Sequence, residues 1–414
     1  MKKIVMSAVA LTAIMGSFST VSASEDGINI LDNAKFSGEI RPRYEFADKD
    51  GGADAANAFT ARTRLAVETN SLMGADGLSA KIGVTTVNNF GYTDYYDGNT
   101  QGVGEYDLIL DAQQAMLSEA YLAYTAADTT LLAGRSHVNL DDQRFIGTVG
   151  WRQMERAYDT VTVINKSVEG LTLLGSYVYG YQGVDDKGTY DTGSALFNVN
   201  YKANEAFTVS GYAYLLANIH DTYGLRVNGK IPVSDSIKLN YAAAYAMQTD
   251  NSLEYGSGLT EKTIDASYYD LVLGANMNGF ILQAEYEVLG EANGNSQKGF
   301  TTPLATLHKF QGFADEFLPQ TAGTNGEGLN DLNFKAGYKA KGFGKLLGIY
   351  HMFNAETGTY SDLGSEFDAL YANKVPSINN LNFLLKAAFF MGGETGSLHS
   401  NDNTKFWAQL DYKF

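Results

Sequence analysis

Along most of this chain apolar and polar residues alternate one by one, and that period of two decides what it can fold into. From Phe406 to Phe414 (FWAQLDYKF), Phe406, Ala408, Leu410, Tyr412 and Phe414 share one side of an extended backbone. Trp407, Gln409, Asp411 and Lys413 share the other. A helix would scatter these residues around its circumference, whereas a strand sorts them onto two faces. Eighteen segments read this way, running from 35–47, 58–70 and 77–88 through to 366–374, 380–392 and 404–414.

The connections carry a second pattern. Every even one is short (71–76, 127–128, 167–169, 204–205, 233–235, 278–279, 341–343, 375–379), while the odd ones include 89–114, 138–154, 249–264 and 291–330. Short turns at one end and long loops at the other mark membrane barrels. In hydrocarbon each backbone N–H and C=O must be bonded within the sheet, so the sheet must close. The expected fold is all-β: a transmembrane antiparallel β-barrel of about 18 strands, with short periplasmic turns and long extracellular loops. A soluble sandwich or propeller is the alternative, but no internal repeat of propeller length is present. A barrel this large has a lumen that strand side chains cannot fill, so water or inturned loops must occupy it.

The termini fit export. Lys2 and Lys3 precede an apolar run from Ile4 to Ile14, and Val21-Ser22-Ala23 offers a cleavage site. This predicts a signal peptide over 1–23 and a single barrel domain over 24–414. No run reaches the ~18 apolar residues of a spanning helix. The few residues between the cleavage site and the first strand leave no room for a plug domain. The strand ending in Phe414 resembles the closing strand of bacterial outer-membrane barrels, whose terminal aromatic is read by the assembly machinery. That resemblance implies an integral outer-membrane location, with lipid and lipopolysaccharide as surroundings and the barrel-assembly machinery as a partner.

Composition excludes several functions. The chain has no Cys, so disulfides, thiolate metal sites and Cys nucleophiles are out. With 30 basic and 47 acidic side chains, net −17, it is no nucleic-acid binder. None of its five histidines (His137, His220, His308, His351, His399) sits in an HExxH or similar spacing, and no GxSxG occurs. No catalytic residues, metal site or cofactor are expected, and His308 reads as a hydrogen-bonded loop histidine.

Parity then assigns the strand charges. With Phe36, Ile40 and Tyr44 facing lipid, Glu39, Arg41, Arg43 and Glu45 face the lumen, and Arg62 and Arg64 do so on the next strand. Lys81, Glu119, Arg135 and Arg226 continue the pore-lining set, joined by Lys230, Lys238, Lys335, Lys345 and Lys386 and by Glu285, Glu287 and Asp368. The four arginines on adjacent strands form a basic wall. It is read either as an anion-contacting surface or as ion pairs with Glu39, Glu45 and Glu68 that stiffen the sheet. Acidic residues gather in the long loops, for instance Asp94, Asp97, Glu105 and Asp107.

The third long loop is the most distinctive segment. Phe145, Ile146 and Trp151 need something to pack on, and Gly147 and Gly150 permit a tight path. Folding inward would meet both needs and build a constriction from Asp142, Gln143, Arg144, Trp151 and Arg152; the alternative is packing on the rim. The run LDDQRFIGTVGWRQMERAYD resembles an element of the alginate-export family of outer-membrane proteins, and TPLATLHKFQGFADEFL (302–318) resembles a second element of that family. The resemblance implies an 18-stranded barrel with an arginine-lined, loop-gated pore, and places Arg135, Asp142, Gln143, Arg144 and Arg152 near it. The expected function is a passive porin for small anionic or sugar solutes. The alternatives are a dedicated exporter of an acidic, alginate-like exopolysaccharide and a surface-binding barrel, the latter suggested by the long seventh loop.

Overall fold

The computed structural model describes residues 34–256, 264–293, 298–318 and 326–414; the expected signal peptide lies outside them. Eighteen strands follow one another: β1 (Lys35–Lys49), β2 (Ala56–Thr69), β3 (Leu78–Asn88), β4 (Gln114–Ala126), β5 (Thr129–Ser136), β6 (Ala157–Asn165), β7 (Leu171–Gln182), β8 (Thr189–Asn204) and β9 (Phe207–Leu216). The second half comprises β10 (His220–Ser234), β11 (Ile237–Thr249), β12 (Asp265–Met277), β13 (Phe280–Leu289), β14 (Leu329–Ala340), β15 (Gly344–Asn354), β16 (Asp362–Lys374), β17 (Leu381–Gly392) and β18 (Asn403–Lys413). Each pairs antiparallel with its neighbours in sequence, and β1 pairs with β18, so the sheet is a closed 18-stranded antiparallel barrel. No described helix is long and apolar enough to cross a membrane, which says nothing of a β-barrel.

The expected strands are all present, most with ends shifted by one to three residues. The largest difference is β16, which starts at Asp362 rather than 366. There the pairing with β15 shifts between Phe353 and Asn354, and Gly364 takes φ +106°, so the alternation is broken although the ladder continues. A similar irregularity in β4 puts both Ser118 and Glu119 on the buried side. The register also shifts around Tyr179 of β7 and at the ends of β8 and β10; between these points Phe36 (52% exposed), Ile82 (60%) and Leu273 (71%) stand on the outer wall, while Arg41, Arg43 and Arg62 are buried inside.

The barrel also has a core within it. Phe145 and Ile146 of the third long loop and Phe300, Leu304, Phe313 and Phe317 of the seventh pack against Tyr212, Tyr214, Tyr268, Phe353, Phe390 and Trp407 of the wall. Phe145 lies 5.3 Å from the Tyr212 ring, 5.2 Å from Tyr268 and 5.9 Å from Phe300. Burying these aromatics offsets the cost of ordering two long loops inside a water-filled tube.

Candidate functional site

The third long loop, between β5 and β6, crosses the lumen. At one end Asp141 accepts hydrogen bonds from Tyr214 of β9 and from Asn198 of β8 (2.8 Å). At the other, Arg152 is paired with Glu45 of β1 at 3.0 Å. Strands so far apart around an 18-membered ring lie on nearly opposite walls, so the loop must pass between them. Arg144 anchors its middle on Glu287 of β13 at 2.5 Å. Asp141, Asp142 and Gln143 all have positive φ, which makes the sharp bend at the start of this path.

The seventh loop meets it. Gly147 N–H donates to Leu304 O (2.8 Å), Thr306 N–H to Gln143 O (2.9 Å) and Val149 N–H to Thr306 Oγ1 (3.0 Å). A Cβ on Gly147 would collide with the Thr306 hydroxyl, so this contact needs glycine. Val149 is held at φ +58°, a strained angle for a β-branched residue, and the bond to Thr306 is one of the contacts that hold it there. Residues 313 and 314 dock on the far wall: Phe313 N–H donates to Asp368 (3.1 Å) and Ala314 N–H to Glu366 (2.7 Å).

Trp151, His308 and Lys386 form the junction between both loops and the wall. The Trp151 ring stacks on His308 at 4.5 Å, with the Arg43 guanidinium 4.1 Å and the Lys386 ammonium 4.0 Å from the indole. Lys386 Nζ donates to His308 Nε2 (2.6 Å), and His308 Nδ1 bonds Asp315 (2.8 Å), which also holds Arg152 (2.8 Å). Burial, with Lys386 and Arg152 close by, holds the His308 imidazole neutral, far below its usual range, despite Asp315. Burial pushes the Asp315 carboxyl up, but His308 and Arg152 outweigh it and hold Asp315 below the usual carboxylate range. Hydrogen bonding of His308 agrees with the sequence reading; Lys386 as its partner could be read only as an inward-facing charge.

The arginine wall is occupied by its own partners, and this corrects the picture of open, solute-contacting guanidinia. Arg43 is fully buried: it donates to Gln409 (3.0 Å) and to Trp151 O, and meets Asp111 at 3.4 Å. Arg62, also buried, is paired with Glu39 and with Glu155 (3.1 Å), and Arg64 with Glu155. Arg41 is paired with Glu39 (2.9 Å) and Asp411 (3.2 Å). Burial of Glu155 favours its neutral acid, but Arg62, Arg64 and His137 overcome that and pull it down to about 2. The decisive acceptors Asp111 and Glu155 come from loops, which strand parity does not place; Glu39 and Glu45 do pair as read, and no ion pair of Glu68 is seen among the described residues. In the constriction set, Arg144 and Arg152 are buried, Trp151 is half-buried, and Asp142 stays exposed, paired with Lys309.

The remaining free space lies against the other side of the barrel. A cavity of about 780 Å³ opens between Asn139–Arg144 and the wall from β8 to β14. Arg226 (paired with Asp270, 2.8 Å), Lys335 (paired with Glu285, 2.7 Å) and Lys230 line it among asparagines and Ser210. A second space of about 270 Å³ lies between the loop and β4–β7, bordered by Glu119, Ser136 and His137. Beside it Lys81 pairs with Glu119 (3.0 Å). Arg135, expected in the pore-lining set, instead shares the outer face of β5 with Leu131, 47% exposed, and pairs there with Asp159 (2.7 Å), because Ser136 and Leu132 take the lumenal face. Asn139 and Leu140 border both spaces, so the loop divides the lumen. Among the described residues no cluster of His, Asp and Glu could hold a metal ion.

No family model matches the sequence, and no curated protein does. Solved structures of outer-membrane porins match over nearly the whole length. Pseudomonas aeruginosa OccK8 (OprE) shares 15% identity at a TM-score of 0.70, covering 93% of this chain and 99% of that one. Pseudomonas aeruginosa OpdO shares 14% at 0.71, covering 93% and 98%. Acinetobacter baumannii OccAB2 shares 14% at 0.69, covering 94% and 100%. At these identities the likeness is one of fold, and the structures named are Occ and Opd barrels rather than alginate exporters.

Proposed function

We propose that the chain is a passive channel of a bacterial outer membrane, with its short turns in the periplasm, passing small polar solutes and favouring anions. The observation that carries the preference for anions is an asymmetry of pairing. The arginines of β1 and β2 are consumed by carboxylates, whereas Lys230 and Lys238 on the opposite wall, and Lys339 and Lys345 on β14 and β15, make no ion pair among the described residues. Cations held in no ion pair beside an aqueous path raise the local anion concentration. The net charge of −17 does not oppose this, because acids such as Asp94, Glu105 and Asp185 lie in the long loops. Two loops clamped across the lumen by buried ion pairs favour a small solute over an alginate-like polymer. Residues 298–318 of the seventh loop turn inward, which weakens the surface-binding alternative.

The test is the zero-current potential in a salt gradient. Wild-type channels should prefer anions, and Lys230→Glu with Lys238→Glu should move the potential toward cation preference. A cation-selective wild type that the pair of reversals leaves unchanged would end the reading. Arg62→Glu with Arg64→Glu should behave differently. It sets new carboxylates beside Glu39 and Glu155 at a buried site. Breaking such pairs costs about 3–5 kcal/mol, so this variant should release the third loop.

A further inference from the structure

Most lumenal cations of this barrel meet a carboxylate, as Arg226 meets Asp270 and Lys81 meets Glu119. One group on β14–β16 does not. Lys339 and Lys345 stand directly opposite each other across the β14–β15 ladder, beside the short turn that joins these strands. Lys345 is in register with Ala372 of β16, which sets Lys374 on its diagonal. Strand parity puts all three on the lumenal face. Lys339 shares its side of the strand with the buried Asp331 and Asn333, Lys345 with Ile349 and His351, and Lys374 with Glu366 and Asp368. Neighbouring strands lie about 4.8 Å apart, so flexible lysine stems can bring the three ammonium groups to one point. Lys335, further up β14, lies within electrostatic reach of Lys345.

No acid answers this group. Residues 332–355 and 369–393, which include all of β15 and β17, contain neither Asp nor Glu. The acids of the surrounding wall are already engaged. Glu285 is held by Lys335 at 2.7 Å, and Asp411, two strands along from Lys374, by Arg41 at 3.2 Å. Asp368 accepts from the Phe313 N–H at 3.1 Å. Lys339, Lys345 and Lys374 thus make no ion pair among the described residues, and Lys339 and Lys374 are exposed while Lys345 is half-buried. Like charges directly opposite on a sheet are destabilising. The unpaired Lys230 and Lys238 avoid that cost, since they stand opposite Asn240 and Pro232.

An arrangement that costs stability when empty points to a ligand that removes the cost. Chloride or a single carboxylate cancels one charge and leaves the others in repulsion. A phosphate monoester brings a charge of about −1.5 to −2 and three acceptor oxygens, and ammonium groups, with three donors each, can meet it from several sides at once. Asn382, directly opposite Lys374 on β17, adds an amide donor on the same face. We propose that Lys339, Lys345 and Lys374 form a subsite, at the short-turn mouth of the lumen, for the phosphate group of a small dissolved solute. Because the site faces the lumen, it meets solutes in the channel and not the headgroups outside the wall. The inference rests on the channel reading above and narrows its anion preference to a chemical class.

The test is equilibrium binding of glycerol phosphate to the folded full chain in a non-ionic detergent, followed by phosphorus NMR line broadening. Acetate should displace it only at about tenfold higher concentration or more. Lys345→Gln, at the centre of the group, should weaken binding about tenfold (~1.4 kcal/mol), and Lys339→Gln and Lys374→Gln should each weaken it severalfold. These variants relieve repulsion, so the barrel should fold, checked by its migration in SDS before and after boiling. Lys202→Gln, whose ammonium is paired with Glu205 at 2.6 Å at the end of β8, should leave binding unchanged. Binding that survives all three lysine variants, or acetate competing on equal terms, would overturn the proposal. Citrate displacing the phosphate at lower concentration would do so too, by assigning the site to polycarboxylates. Binding is read without conduction, which separates this test from that of the channel. A barrel that prefers anions in a salt gradient yet ignores phosphate ends this inference alone; one that binds phosphate through these lysines yet conducts cations ends only the anion preference.

Discussion

At the scale of single residues, the structure makes His308 the group that responds to mild acid. Its imidazole faces Asp315 on its own loop, Arg152 and Trp151 on the third loop, Lys386 on β17 and Trp407 on β18. Released from this site the ring would take a proton near its usual 6.5; docked, it takes one only far lower. The undocked loop thus binds more protons below that pH, and docking weakens as pH falls through 6.5. One proton allows at most about a tenfold change in the docking equilibrium per pH unit. Lowering the pH from about 7.5 to about 5.5 should therefore expose residues 298–318, read as faster tryptic cleavage at Lys309. His308→Gln should flatten that dependence. Equal cleavage at both values would show that the loop is held by other contacts. The Glu155 carboxylate should not contribute in this window, because it titrates only at about 2.

At the scale of elements, strands and loops differed in how far the sequence could be read. Strands were legible because a sheet with lipid outside and water or docked loops inside imposes a two-residue period along most of each segment, broken at bulges such as those at Ser118, Tyr179 and Gly364. Loops carry no such period. The aromatics and glycines of 145–151 announced that this stretch packs on something, and it does cross the lumen. Nothing in the alternation could show that Asp111 and Glu155 would close on the arginines, or that 302–318 would form the second half of the constriction. Deleting Asn139 to Thr148 removes Asp141, Arg144 and Phe145, and with them the anchors on β9 and β13 and the aromatic packing. Single-channel conductance should rise and the barrel should remain closed, since none of the deleted residues belongs to a strand. Unchanged conductance would place the limiting constriction in the seventh loop.

At the scale of the whole molecule, everything depends on one seam. Seventeen of the pairings join strands adjacent in sequence, but β1 must find β18 across the entire chain, and that contact gains least from local order. The seam is specified beyond its ladder. Phe414 N–H donates to Gly38 O (3.0 Å) and Gly38 N–H to Phe414 O (2.8 Å), so the pairing runs to the terminal residue. The Phe414 ring lies over Gly38 so closely that any Cβ there would collide with it, and it also meets Tyr412 at 5.7 Å. In lipid an open edge would leave a row of unpaired backbone groups, each costing several kcal/mol, so a weakened seam should appear as failed assembly rather than a looser barrel. Phe414→Asp should reduce the folded fraction in membranes, measured as loss of the species that migrates differently in SDS before and after boiling. Gly38→Val should do the same from the other strand, by displacing the ring without altering the C-terminus. If Phe414→Asp fails and Gly38→Val assembles normally, the aromatic acts as a recognition signal during insertion. If both fail, its packing on Gly38 is part of closure itself, and the close fit predicts the second outcome.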